Sequence, residues 1–398
     1  MIKKWSDCKN VLCIRADNMG DLLMSSPAIR ALKESFSCKI TVLTSSMATG
    51  ISKFLPHIDE TITYDLPWVK TNAAVGTDDF FKIVEVLKQR QFDAAIIFTV
   101  YSQNPLPAAM LAYLANIPKR LAYCRENPYE LLTDWVPDNE PYDIVRHQVR
   151  RDLDLVSTIG ANTNNEKLSL QLPEDVWPAI IKKLQHAGID IKKPWVILHA
   201  GVSEKKREYP EALWIRTGKK FTANLKQQVL LTGSDSEKMI TDKLEKEIGK
   251  GAFSLGGIFS LEEFIVLIHH APLVISVNTG TIHIAAATST PVIVLYALTN
   301  PQHLPWKVPG KVFLFDIPEK LRSRNQVLKY VHEHLIYPAV PMVSPDDILN
   351  AARELLEGKA AVHFIPEMIP LRKSVYPIVS QSAAPLTNHF PNKSTASL

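Results

Sequence analysis

Four polar stretches of this chain each follow an apolar run and precede a helical pattern. They are RADNMGD (15–21), HAGVSEKKR (199–207), TGSDSE (232–237) and VNTGTIH (277–283). Between them they carry carboxylates, cations, small hydroxyl residues and glycines. Backbone N–H groups at a helix start bind anions, and glycine lets a ligand approach the backbone closely. The four stretches therefore predict a site for a phosphate-containing ligand.

The last stretch has the residue types of a diphosphate site. Thr279 and Gly280 offer a hydroxyl and exposed N–H groups at the start of a predicted helix. His283 lies one turn into that helix, where it could contact the same phosphates. The alternative is structural, since Asn278 or Thr279 could simply cap the helix and His283 could be a packed residue.

Asp21 is the candidate catalytic residue. It opens the first long helical pattern, where the helix N-terminus keeps a carboxylate ionised. Such a group is a modest base, yet it can take a hydroxyl proton as the bond to an electrophile develops. The alternative is that Asp21, or the preceding Asn18, only caps the helix.

The two middle stretches add candidate ligand contacts. Gly201 would let the backbone approach a ligand, and the cations at 205–207 stand just before a helix that begins near Pro210. These cations could equally be a solvated loop. Glu237 lies in a predicted first helical turn, where a helix-dipole role competes with a ligand contact.

No set of side chains has convincing metal-ligand spacing. Asp152-Leu153-Asp154 matches a D-x-D pattern that some sugar transferases use for a metal. These residues lie in a predicted helix, where side chains at i and i+2 point to different sides and cannot chelate one ion together. We therefore predict no metal site and no cofactor.

Elements that could position these stretches alternate along the whole chain. The predicted strands are 10–16, 39–44, 93–99, 195–200, 228–232, 273–277 and 291–296. The predicted helices are 21–36, 79–89, 105–116, 147–160, 210–222, 237–248, 260–270, 281–287 and 344–358. This alternation predicts an α/β protein with two Rossmann-like domains, whose parallel sheets face each other across a ligand-binding cleft.

A polar break divides the two series of elements. We predict an N-terminal domain over 1–160, a linker over 161–175 and a C-terminal domain over 176–358. The Pro-, Ser- and Asn-containing tail, 359–398, is predicted to be loosely ordered.

Composition restricts the kind of partner. The 398 residues are 46% hydrophobic and 22% charged, and the net charge is only +4. This balance lacks the basic stripe of a nucleic-acid-binding protein. The longest apolar region, 282–298, is interrupted by polar residues and Pro291, so membrane contact should be at most peripheral. We expect a cytoplasmic protein.

Taken in order, the motifs resemble those of glycosyltransferase family 9, the bacterial ADP-heptose:lipopolysaccharide heptosyltransferases. The resemblance covers about residues 10–318. It depends on an R-x-x-x-x-G-D…P-x-x-R-A-L segment (15–32), an H-x-V-x-R-x-L region within 131–153, and the turns H-x-G…K/R-x-W/Y-P, G-x-x-x-E and S-L-x-E. The final motif of the family is D-T-G-x-x-H-x-A-A, in which this chain has Asn278 in place of Asp.

The resemblance implies a GT-B fold and inverting, metal-independent transfer. It implies Asp21 as the base and a group of donor-binding residues: Gly201, Ser203, Lys206, Arg207, Glu237, Phe259, Asn278, Thr279, Gly280 and His283. Among these, Arg207 stands where the family has a phosphate-binding lysine, Glu237 lies near the donor ribose and Phe259 lies against adenine. Asn278 lacks the negative charge of the family's Asp, so the identity of the donor sugar stays open.

The implied reaction moves a heptose from ADP-heptose to a hydroxyl of a glycan or glycolipid such as the lipopolysaccharide core. Three alternatives stay open at this point. They are a transferase that uses another nucleotide sugar and another acceptor, a nucleotide-sugar epimerase, and a catalytically silent homologue.

Overall fold

The fold is described from a computed structural model covering residues 4–70, 76–336, 340–357, 365–368 and 371. Two six-stranded parallel sheets dominate it. The predicted α/β class with two Rossmann-like units is confirmed.

The first sheet contains the strands β1 (Asn10–Ile14), β2 (Lys39–Thr44), β3 (Glu60–Thr63), β4 (Ala94–Ile97), β5 (Lys119–Cys124) and β6 (Asp134–Pro137). Their order is β3-β2-β1-β4-β5-β6. The accompanying helices are α1 (Met19–Phe36), α2 (Thr49–Ser52), α3 (Thr77–Gln89), α4 (Leu106–Leu114) and α5 (Gln148–Ser157).

The second unit begins with helix α6 (Trp177–His186) and contains the strands β7 (Trp195–His199), β8 (Gln228–Gly233), β9 (Ala252–Gly256), β10 (Val274–Val277), β11 (Val292–Ala297) and β12 (Gly310–Phe315). Their order is β12-β11-β10-β7-β8-β9. Its other helices are α7 (Glu211–Asn224), α8 (Lys238–Ile248), α9 (Leu261–His270), α10 (Gly280–Ala287), α11 (Gln326–Tyr330) and α12 (Pro345–Glu357).

The central strands are apolar runs because helices cover both faces of each sheet. All of β10 and all but the first residue of β1 are buried. Parallel strands buried on both faces show continuous Val, Ile and Leu instead of alternation. In both sheets the neighbouring central strands end at the same edge, with Ile14 opposite Leu43 and Ser276 opposite His199. The polar stretches after these strands therefore start from two shared edges.

Five strands and three helices are absent from the sequence prediction: β3, β5, β6, β9, β12, α2, α6 and α11. Most of these strands are edge or short strands with mixed burial, such as the half-exposed β6, so their apolar pattern is weak. Predicted elements that do occur differ by a few residues at their ends; α1, for example, starts two residues earlier than expected.

The domain division remains a proposal: 1–160 and 176–358, joined by 161–175. The proposed linker is held against the first unit, since Arg30 donates hydrogen bonds to the carbonyl oxygens of Asn165 and Lys167 and to Ser169. The predicted tail, 359–398, lies outside the described residues except for 365–368 and 371. Within it, Ile365 N donates to Val308 O at 3.2 Å.

The segment 300–306, termed here the interdomain strap, lies between β11 and β12 of the second unit and packs against the first unit. Gln302 accepts from Tyr101 N at 3.3 Å and donates to Glu140 at 3.2 Å. The strap also accepts a hydrogen bond at Leu304 O from His147 Nε2 at 2.7 Å. Trp306 is buried and donates to Glu166 O at 2.7 Å. The strap is therefore fixed by hydrogen bonds to the first unit and, at Trp306, to the proposed linker.

The N-terminal ends of α1 and α10 also meet between the units. A Cβ atom added to Gly20 would lie 2.7 Å from His283 Cδ2, and one added to Gly280 would lie 2.5 Å from Met19 Cε. Glycine at these two positions lets the helix ends approach to van der Waals distance. Among the described residues, we find no helix that combines the length and apolar character needed to span a membrane.

Candidate active site

A cavity of about 530 Å³ lies where the carboxyl ends of the two sheets face each other. Its lining includes Asp21 and every predicted donor-binding residue except Lys206. Side chains and backbone from positions 20 to 283 thus converge on one space. The roles assigned to them stay predictions, but their proximity is a property of the fold.

Asp21 lies in the first turn of α1 and borders this cavity with only a small exposed fraction. One carboxylate oxygen, Oδ1, accepts from Arg15 Nη2 at 3.0 Å, while Oδ2 accepts from Asn18 N at 3.2 Å. Asp21 is therefore both the capping-box residue of α1 and a carboxylate facing a cleft. The two interpretations of this residue are compatible.

The charges around Asp21 keep it ionised. Burial alone would raise its pKa, but the Arg15 guanidinium and, with smaller effects, His303, the Asn18 amide and His283 lower the pKa below its ordinary value. Asp17 also pairs with Arg15, at 3.4 Å. The pKa of Asp17 is raised, because burial raises it more than Arg15 lowers it. At neutral pH Asp21 is an anion held in one orientation.

The opposite wall of the cavity is the start of α10. Thr279 is the N-cap residue, and its side chain forms no capping hydrogen bond, so its hydroxyl is not committed to the helix. His283 lies one turn further and is buried, and its Nδ1 atom has no hydrogen-bond partner among the described residues. Burial lowers the pKa of His283 to about 3, so the imidazole is neutral at pH 7. The start of α10 thus offers a hydroxyl that does not cap the helix, backbone N–H groups and an imidazole nitrogen without a partner among the described residues. These groups suit the binding of an anion.

Asn278 holds this turn against the neighbouring strand. Its Oδ1 accepts from Ala297 N at 3.2 Å, and its Nδ2 donates to Ala297 O at 3.4 Å and to Thr299 Oγ1 at 3.2 Å. A carboxylate could not donate to the Ala297 carbonyl. The amide at this position therefore has a bridging role, in addition to its place on the cavity wall.

The predicted cations separate into two locations. Arg207 borders the cavity and donates to Asn278 O at 3.1 Å, directly beside the start of α10. Lys206 instead borders a second, adjacent cavity and pairs with Glu204 at 3.1 Å. Burial would raise the pKa of Glu204, but Lys70, Arg207 and Lys206 lower it to about 2. Of Arg207 and Lys206, only Arg207 borders the cavity that contains the predicted phosphate position.

The far end of the cavity is formed by the turns after β7, β8 and β9, which carry Ser203, Glu237 and Phe259. Glu237 Oε2 accepts from Ser234 N at 2.7 Å and Ser234 Oγ at 2.8 Å, which closes a capping box. A Cβ atom at Gly201 would collide with the Glu237 carboxylate, so Gly201 makes room for this side chain. Phe259 contributes a half-buried aromatic ring.

Two residues of this site were missed by the sequence interpretation. His303, on the interdomain strap, borders the cavity with Nε2 3.6 Å from Asp21 Oδ1. Arg15 directly follows β1 and is fully buried against Asp17 and Asp21. Both follow strands in polar turns, which is the signal that identified the other candidates.

The part of the chain that the structure describes contains no group of three or more His, Cys, Asp or Glu side chains arranged to hold a metal ion. The D-x-D pair is separated as predicted: Asp152 bonds to Ser25 and Gln148 inside the first unit, while Asp154 pairs with Arg146.

Two Rossmann-like α/β units that face each other across a cavity define the GT-B fold. Residues 80–330 match the model of glycosyltransferase family 9 (heptosyltransferase). The chain belongs to this family and is a glycosyltransferase.

Sequence and structure comparisons agree with the family match. Lipopolysaccharide heptosyltransferase 3 of Escherichia coli is 24% identical over 299 residues, which cover 72% of this chain and 83% of that protein. The family 9 glycosyltransferase of Veillonella parvula superposes with a TM-score of 0.71 at 15% identity, covering 90% of this chain and all of that one. E. coli ADP-heptose lipopolysaccharide heptosyltransferase II has a TM-score of 0.64 at 18% identity, covering 88% and 99%. These structural likenesses concern the fold.

Proposed function

We propose that this enzyme transfers a heptose from ADP-heptose to a hydroxyl group of a lipopolysaccharide core or a related glycan, with inversion and without a metal ion. The observation that carries the proposal is the convergence of Asp21 from the first unit with Arg207 and the start of α10 from the second. The proposed donor agrees with the name of the E. coli relative, an ADP-heptose heptosyltransferase. The enzyme is proposed to act in the cytoplasm, with peripheral contact to the inner membrane where its acceptor is embedded.

The donor would lie along the second unit. Thr279, the N–H groups at Gly280 and the Arg207 guanidinium would bind the diphosphate, and His283 would donate to it. Glu237 would accept from the ribose, while Phe259 would pack on adenine. Gly201 and Ser203 would border the nucleotide, and Lys206 would act from the adjacent cavity.

These groups account for every bond and proton that changes in the proposed reaction. The acceptor oxygen forms a bond to the anomeric carbon as the bond to the diphosphate oxygen breaks, and that electron pair leaves with ADP. Arg207 and the α10 dipole stabilise the negative charge on the departing diphosphate. Asp21 takes the hydroxyl proton late, which suits a base with a lowered pKa.

Incubation with ADP-heptose and a heptose-containing core oligosaccharide tests the proposal. We expect ADP release and a mass increase of one heptose, unchanged in excess EDTA, with an inverted anomeric configuration by NMR. Activity that disappears in EDTA and returns with Mg²⁺ or Mn²⁺ would contradict the metal-free mechanism.

A panel of other nucleotide sugars tests the donor, because Asn278 stands where the family motif has Asp. Conversion of the nucleotide sugar without acceptor would indicate an epimerase. Absence of turnover despite ADP binding would indicate a silent homologue.

A further inference from the structure

A second cavity, of about 710 Å³, adjoins the first one. The two share Asn18, Asp21, Arg207, Thr299 and His303. If the donor occupies the first cavity, the second is the remaining space that Asp21 borders. An acceptor hydroxyl must reach Asp21, so this second cavity is where the rest of the acceptor would lie.

One wall of the second cavity is formed by residues 317–333, termed here the roof segment. It follows β12 and contains α11. At its base Arg322 pairs with Asp316 at 3.3 Å. It reaches the first unit, where Asn325 Nδ2 donates to Ser102 O at 3.4 Å and the Tyr330 ring lies 4.9 Å from the Tyr142 ring. The roof segment therefore crosses over the cavity from one unit to the other.

The roof segment brings unpaired positive charge to this cavity. Lys320, Arg324 and Lys329 border it with exposed side chains, and none of them forms a salt bridge within the described ranges. Glu319 and Glu333 also border the cavity, so three unpaired cations and the paired Arg322 face two carboxylates there.

Each charged side chain discussed on the opposite wall has an ion-pair partner there. Glu204 pairs with Lys70 at 2.9 Å, with Lys206 at 3.1 Å and with Arg207 at 3.5 Å. Asp17 and Asp21 share the buried Arg15. The cations of this cavity that have no carboxylate partner among the described residues thus lie on the roof segment, which does not border the first cavity.

We propose that Lys320, Arg324 and Lys329 bind an anionic substituent, a phosphate or a carboxylate, of the sugar acceptor. The inference depends on the proposed function for the identity of the acceptor as a glycan. Charge-assisted hydrogen bonds from these cations fix the acceptor sugar beneath the roof segment, with its hydroxyl directed to Asp21. Acceptors without the anionic group bind weakly, so the roof segment determines acceptor specificity.

The test compares two triple variants. Lys320→Gln/Arg324→Gln/Lys329→Gln removes the roof cations, and Arg216→Gln/Lys219→Gln/Lys246→Gln removes three exposed cations outside both cavities. Calorimetry at saturating ADP measures binding of a heptose-containing core oligosaccharide in three forms: native, dephosphorylated with hydrofluoric acid, and carboxyl-reduced.

We expect the roof variant to bind the native oligosaccharide about tenfold more weakly or worse, and the control variant to bind within twofold of wild type. ADP affinity stays unchanged in both. One of the two chemical treatments should weaken wild-type binding to the level of the roof variant, which identifies the anion as phosphate or carboxylate.

The inference is overturned if wild type and roof variant bind the native oligosaccharide equally well. It is also overturned if the roof variant loses affinity for ADP and not for the oligosaccharide, or if the wild type does not bind the native oligosaccharide. Binding that follows the expected pattern without sugar transfer leaves the inference standing and contradicts the proposed function. Transfer that is unaffected in the roof variant contradicts the inference alone.

Discussion

At the scale of single residues, Asp21 combines a structural and a proposed chemical role. Its carboxylate closes the capping box of α1, pairs with a fully buried Arg15 and faces the cavity. Any substitution therefore changes stability as well as catalysis, and a control from the same charge cluster is needed. Asp152 supplies one, since it is buried near Arg15 but faces Ser25 and Gln148.

Asp21→Asn should lower transfer by about 10²- to 10⁴-fold, because the proposed general base is lost. Removing one partner of Arg15 should also cost about 1–3 kcal/mol of folding free energy. Initial rates, ADP affinity and urea unfolding are measured for Asp21→Asn and Asp152→Asn. Asp152→Asn should keep most of its turnover. A rate for Asp21→Asn within about threefold of wild type would mean that the base lies elsewhere.

Gly280→Ala should weaken ADP binding, because the new methyl group stands at the start of α10, where the diphosphate is proposed to lie. The same methyl would also contact Met19 Cε, so part of any effect could come from the interface between the units. The double variant Gly280→Ala/Met19→Ala removes that contact. Calorimetry should show a similar loss of ADP affinity in both variants. Recovery of wild-type affinity in the double variant would place the effect at Met19 instead.

At the scale of elements, two helix N-termini and the interdomain strap assemble the site. The start of α1 brings Asp21 and the start of α10 brings Gly280 and His283 to the same cavity. The strap brings His303 within 3.6 Å of Asp21. Its flanking residues Gln302 and Leu304 are buried and bonded to the first unit, so the strap holds His303 in place.

Gln302→Met should reduce folding stability by roughly 1–3 kcal/mol, because Glu140 and the Tyr101 amide lose a buried partner. Transfer should fall more than ADP affinity, since the strap carries His303 beside Asp21. Gln227→Met is the matched control, because the buried Oε1 atom of Gln227 has no hydrogen-bond partner among the described residues. Urea unfolding, rates and ADP titration are compared. Equal effects of both variants would argue against an organising role for the strap.

At the scale of the whole molecule, buried histidines link folding to pH. Burial lowers the pKa of His147 to about 3, of His283 to about 3 and of His303 to about 4. After unfolding, these histidines would titrate near their ordinary value of 6.5 and take up protons below it. Burial raises the pKa of Asp152 to about 6, so below pH 6 the folded state binds a proton here that the unfolded state does not. Three histidines against one carboxyl leave the folded state with fewer bound protons in mild acid. Burial also lowers the pKa of His199 and raises the pKa of Asp17, and these two shifts act in opposite directions.

The free energy of unfolding should therefore be fully retained above about pH 6.5 and should fall as the pH decreases towards 4. Near pH 5 the expected slope is about 3 kcal/mol per pH unit, from a net difference of roughly two protons. Urea unfolding at constant ionic strength between pH 7.5 and 5 measures it. His147→Gln should reduce the slope by about 1.4 kcal/mol per pH unit. A flat profile would contradict the predicted protonation states.

Local sequence was sufficient to predict much of the fold and many of the residues that line the first cavity. Continuous apolar strands such as β10, and polar turns such as the one that begins at Asn278, are signals contained within a few residues. Because parallel strands end at a common edge, these local signals also predicted that Asp21, Arg207 and Thr279 would lie near one cleft.

Contacts between distant residues were decided only by the tertiary structure. Asn278 bridges to Ala297, Lys206 faces the second cavity, and the strap brings His303 to Asp21. Each of these contacts depends on the relative positions of elements that are far apart in the chain. A local sequence pattern does not contain that information. The pKa values of Asp21 and His283 likewise follow from burial and from charges that only the folded chain brings together.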